Sequence, residues 1–151
     1  MSQWLALALF YQIPEGILMM YVGVSLVSRS VGTRPKVLAG AAFGLLIPVV
    51  RELIGLPYHT IVLLLIFFGI CYAAFRLRFH VALLATAFAF TLLILGEIGV
   101  MLPVVTILMG DPEKIMETFH LSLFAAWIGA LPLLVVAILL WRGKISSLFS
   151  G

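Results

Sequence analysis

Charge is scarce in this chain: 10% of its 151 residues are Asp, Glu, Lys or Arg, where a soluble domain devotes about a quarter to them. Cysteine occurs once, at Cys71, which excludes a disulfide scaffold and leaves that thiol as a small apolar packing residue. No Gly-rich phosphate loop occurs, and no serine or cysteine nucleophile has a histidine partner at a usable spacing. Beyond Trp141 there are ten residues, too few for a soluble domain. These absences leave no basis for enzymatic activity or for a cofactor. Nine Lys and Arg against six Asp and Glu give a net charge of +3, too thinly spread for a nucleic-acid surface. Met1-Ser2-Gln3 lacks a basic n-region and the apolar stretch behind it is long for a signal peptide, so the first helix is expected to be retained.

What is abundant is hydrocarbon. Apolar residues make up 64% of the chain and mean hydropathy is +1.27, which places it in a lipid bilayer. The apolar runs fall at 4–28, 37–54, 58–75, 81–107 and 119–141. They predict an all-α integral membrane protein, a five-helix transmembrane bundle forming one domain over residues 1–151. The runs are broken at Ser28–Lys36, at Gly55-Leu56-Pro57-Tyr58-His59, at Arg76–His80 and at Gly110–Lys114, where Asp111 reads as an N-cap and Pro112 as a first helical residue.

Sorting the cations by boundary gives the orientation. Arg29, Arg34 and Lys36 lie in the first loop, Arg76 and Arg78 in the third, and Arg142 and Lys144 in the tail; Arg51 and Lys114 stand alone beside acids. The positive-inside rule then places the N-terminus outside and the C-terminus in the cytoplasm. Trp4 and Trp141 stand where an interfacial aromatic belt belongs.

Three charges fall inside the apolar runs. At 1.5 Å per residue, Glu15 lies ~16 Å into the first span, Arg51 ~21 Å into the second and Glu97 ~24 Å into the fourth. An isolated charge at that depth costs roughly 2.5–3.5 kcal/mol on insertion scales, so the three are expected to face one another inside the bundle. Their faces agree. Gly40, Gly44 and Arg51 share one seam, and Gly40-xxx-Gly44 is a spacing that brings membrane helices close. Gln12, Glu15, Gly16, Met19 and Gly23 form a stripe on the first span; Thr86, Phe90, Ile94, Glu97 and Met101 form another on the fourth. The predicted ligand-binding constellation is Glu15 and Glu97 around Arg51, opening outward through Gln12, Tyr58 and His59. Two acids for one base leave a surplus carboxylate for a proton or a cationic group. A buried ion pair that merely locates helices is the competing account, and Glu52 reads as an interfacial residue. Pro14, Pro48 and Pro103 each stand near one of the three charges and free a backbone carbonyl one turn back. The outer face also offers His59, His120, Asp111, Glu113 and Glu117, which lack the short ligand spacing of a dedicated site, so no metal is expected.

Taken in order, Pro14-Glu15-Gly16 in the first span, a basic first loop, Arg51 followed by Leu56-Pro57-x-His59, and Glu97 ahead of Pro103 resemble the N-terminal membrane sensor region of Firmicute sensor histidine kinases of the sporulation-kinase and accessory-gene-regulator-receptor type. The resemblance implies signal reception in a bacterial plasma membrane and a cytoplasmic signalling partner; no phosphoacceptor or ATP-binding region follows Lys144. The expected function is therefore a sensor or receptor-like module whose outward polar pocket binds a small polar or peptide ligand. The alternative is a small homodimeric proton-coupled transporter or channel using a membrane-embedded glutamate. In a third reading, an assembly subunit, Gly40/Gly44 and Ala125/Gly129 serve as helix-packing faces toward a partner.

Overall fold

A computed structural model describes residues 8–54, 58–109 and 119–143. The expectations at Trp4, Gly55–Pro57, Asp111–Glu117 and Lys144, and that for the His120 side chain, lie outside what it describes. Every regular element among the described residues is helical. A π-helical turn, Ala8–Gln12, leads into α1 (Ile13–Val27); α2 is Thr33–Ile54; α3 is Tyr58–Gly69, ending in a π turn at Ile70–Ala74; α4 is Phe79–Gly96; a π turn at Glu97–Met101 joins it to α5 (Leu102–Met109); α6 is Phe119–Gly129 and α7 is Leu131–Trp141.

Proline explains much of this segmentation. Pro14 and Pro132 occupy the first turn of α1 and α7, Pro35 that of α2 and Pro103 that of α5. Two of the π turns end just ahead of Pro14 and Pro103. Each proline withholds the amide that would bond the carbonyl four residues back, at Phe10 and Gly99, and the widened turn occupies that gap. Among the described prolines only Pro48 sits in a helix interior.

Three helical stretches are long and apolar enough to cross a membrane: Leu9–Val27, Thr33–Ile54 and Phe79–Ile107. Leu121–Gly129 and Leu131–Trp141 make a fourth if counted together, bent by 49° at Ala130. The predicted fifth span of 119–141 is thus broken, because the Pro132 ring cannot accept a straight helix through it. Tyr58–Ala74 is a shorter apolar helix. The described residues are compatible with an all-α membrane protein, and their exposed side chains are what hydrocarbon solvates: Leu38, Leu53, Ile61, Leu65, Ile98 and Ile107 all point outward.

The first helix is the centre of the bundle. Its main neighbours are α2, then α4, then α7, and Met19, Met20, Val22, Val24 and Val27 are almost wholly enclosed. Its approach to α2 is backbone on backbone. A Cβ at Gly16 would lie 2.6 Å from Gly44 N, and one at Gly40 would lie 2.6 Å from Ile17 Cα; one at Gly44 would strike the Gln12 carbonyl. Only glycine permits that crossing. Gly23 does the same toward α4, where a Cβ would come 2.6 Å from the Ala85 carbonyl oxygen. An edge-to-face series then ties α2, α3 and α4 together: Phe43 to Phe67 at 5.3 Å and Phe67 to Phe90 at 5.8 Å between ring centres. Cys71 is fully buried in the same core.

Candidate functional site

Glu15 lies one residue from the Gly16 crossing, on the α1 face turned to the bundle interior, and is 1% exposed. Its Oε1 accepts a hydrogen bond of 2.8 Å from the Tyr11 hydroxyl, four residues earlier and one turn along the same face. Its Oε2 is buried with no hydrogen-bond partner, and so is Gln12 Oε1. The immediate chemistry is therefore unbalanced: two buried acceptors without donors. Tyr11 in turn packs edge-to-face with the Trp127 ring on α6, at 6.5 Å between ring centres.

Beside Glu15 is a small cavity of ≈ 20 Å³, lined by Arg51 and by Met19, Phe43, Ile47, Leu63 and Phe90 among others. That is room for about one water molecule. The apolar wall is the phenylalanine series and its neighbours, while the polar components are Glu15 and Arg51. The Gly40–Gly44–Arg51 seam accounts for the placement, since the face of α2 that presses on α1 carries Arg51 to the cavity two turns further on.

The constellation predicted from sequence is assembled only in part. Gln12, the last residue of the first π turn, and Glu15 on α1 are both buried. Arg51 lines the Glu15 cavity, yet its side chain is exposed and the carboxylate it was expected to neutralise is bonded to Tyr11. The reason is that the last turn of α2, residues 51–54, runs past the crossing and is exposed throughout. Glu97 is half-buried at the first position of its π turn, against Gly129 of α6. It lies within electrostatic reach of Glu15, as Arg51 does, but it does not line the Glu15 cavity. Tyr58 is 64% exposed and does not line the cavity. His59 is buried, with a ring nitrogen 3.3 Å from the Thr60 hydroxyl. On α4, Thr86 and Phe90 of the predicted stripe are buried, whereas Ile94 is exposed, being displaced ~80° from Thr86 at 100° per residue.

The glycine pairs also serve differently from the assembly reading. Gly40 and Gly44 are occupied within the chain by α1, and Gly129 abuts Gly96 so closely that a Cβ on Gly96 would overlap the Gly129 carbonyl; Ala125 is buried beside Val105. None of these positions is a free face. Among the described residues no group of three His, Cys, Asp or Glu side chains gathers as metal ligands do. No family model, curated protein or solved structure matches the chain.

Sequence reasoning missed Tyr11 and Trp127. The Tyr11–Glu15 spacing of four was available as a signal; the approach of α6 to the first helix had none.

Proposed function

We propose that the chain is a membrane sensor-like module whose polar centre, Glu15 with Tyr11, Gln12 and Arg51, receives a small polar or peptide ligand from the outer side. The observation that carries this reading is the buried Glu15 Oε2, an acceptor without a donor at the edge of a cavity the size of one water. A ligand completes the site by inserting a single donor group, an ammonium, amide or hydroxyl, while its body remains at the mouth beside the exposed Arg51. The half-buried Glu97 contributes to the field there, and Tyr58 and His59 form the rim in this reading. Five crossings with the N-terminus outside fit the proposal: Tyr58–Ala74 would span ~25 Å at 1.5 Å per residue, and the basic loops would lie in the cytoplasm with the signalling partner. Movement would pass through the interruptions at Pro14, Pro48 and Pro103.

Trp127 offers the test, because its ring packs on Tyr11. With Trp4 and Trp141 replaced by Phe and the protein in nanodiscs, short peptides and ammonium-bearing small molecules should shift Trp127 emission, and Glu15→Gln or Arg51→Met should abolish the shift while leaving the fold intact. A response that survives both substitutions would sink the reading.

A second reading, a homodimeric proton-coupled transporter, draws on the size of the cavity, which suits a water and a proton better than a larger guest. It requires proton-linked flux in proteoliposomes that Glu15→Gln eliminates; no flux across a broad substrate panel counts against it.

A further inference from the structure

At the end of α1 remote from Glu15, a cleft of ≈ 470 Å³ opens between the start of α2 and the end of α7, lined by Tyr21, Ser25, Arg29, Thr33, Lys36 and Gly143 among others. Ser25 is ten residues beyond Glu15, ~15 Å along the helix, so this site is separate from the one above. Its central feature is Lys36, which is only 5% exposed. The ammonium donates one hydrogen bond of 2.8 Å to Ser25 Oγ and lies 5.6 Å from the centre of the Tyr21 ring. A hydroxyl and a π face orient a cation without neutralising it. Among the described residues, Glu15, Glu52 and Glu97 included, no Asp or Glu lines the cleft. Burying an ammonium without a counter-ion is costly. The partner this charge lacks is therefore an anion.

The surroundings specify which kind. Arg29 stands on the same cleft, and Gly32 and Thr33 bring to it the start of α2, where backbone N–H groups have no intrahelical acceptor. Ser28 connects it to a second cleft of ≈ 430 Å³ lined by Arg76, Arg78 and His80. Arg76 there adopts φ 53°, a left-handed conformation uncommon outside glycine. We propose that the Lys36 cleft binds a phosphate-bearing anion, held by Lys36 and Arg29. The chemistry is the same for a soluble phosphate and for the headgroup of an anionic lipid.

The full chain in lipid-free neutral detergent, titrated with inorganic phosphate against sodium chloride at equal ionic strength, tests this by thermal melting; a parallel series adds phosphatidylglycerol. Stabilisation saturating with phosphate identifies a soluble ligand, and stabilisation by phosphatidylglycerol alone identifies a headgroup; either supports the proposal. Lys36→Met and Arg29→Gln should each weaken the effect by roughly tenfold, the equivalent of one charge-assisted hydrogen bond. Arg34→Gln, an exposed neighbour outside the cleft, should leave it unchanged. Should Lys36→Met fail to fold, the exposed Arg29 carries the comparison. The proposal is overturned if neither anion stabilises more than chloride, or if Arg34→Gln weakens binding as much as Arg29→Gln.

Discussion

Tyr11 is the sole hydrogen-bond donor to the Glu15 carboxylate among the described residues. Removing its hydroxyl in Tyr11→Phe strands a second buried carboxylate oxygen, and the expected cost is about 1.5–3 kcal/mol, read as a lower melting temperature in detergent. In a Glu15→Gln background the same change should cost less, so the two substitutions are expected to be non-additive. At Gly44 an added methyl meets backbone at Gln12 and Ile13 rather than a side chain that can swing away. Gly44→Ala should therefore destabilise by about 1–3 kcal/mol. Gly69→Ala, with open space around it, should be neutral or stabilising by up to about 1 kcal/mol from helix propensity, and the pair of melts separates packing from composition. Glu15, Gly40 and Gly44 were legible in the sequence because a charge or a spaced glycine pair stands out against hydrocarbon. Tyr11 was not, since an aromatic in an apolar run looks like any other packing residue, and the exposure of Arg51 depends on where α2 ends relative to α1, which residue spacing does not encode.

The helices were legible to within a few residues from apolar runs and turn chemistry; their continuity was not. The first helix begins, the fourth widens and the last breaks where proline withdraws an amide, and the local answer differs: a π turn before Pro14 and Pro103, a 49° bend before Pro132. Hydropathy is blind to this because proline and its neighbours remain apolar. Pro132→Ala restores the amide that would bond the Ile128 carbonyl, so α6 and α7 should straighten toward one helix. Spin labels at Ser122 and Arg142 should then move apart in pulsed electron resonance; an unchanged separation would mean that packing of Leu133 and Ala137, both buried in the core, imposes the bend instead.

For the molecule, the charges fall into separate settings: Arg29 and Lys36 line one cleft beside Ser28 and Arg76 and Arg78 the next, while Arg51 stands with Glu15. The proposed topology follows from that separation and can be checked directly. In a Cys71→Ala background, cysteines at Arg34 and Arg78 should react with a membrane-impermeant maleimide only after the cytoplasmic face is opened, and one at Glu113 should react in intact cells. Labelling of Arg34→Cys from outside would invert the orientation, and with it the side from which Glu15 is approached.

Between Ser25–Lys36 and the contact of Gly44 with Gln12, the first two helices are fastened at both ends of their shared length. That stretch is a stiff strut. Only the part of α2 beyond Pro48 is left to yield, because Pro48 interrupts its backbone ladder and the last turn, residues 51–54, is exposed. A wedge driven in beside Glu15 would thus deflect the free end of α2, carrying Arg51 with it, and leave the fastened end in place. Within α2, compliance is concentrated in six residues, Val49 to Ile54.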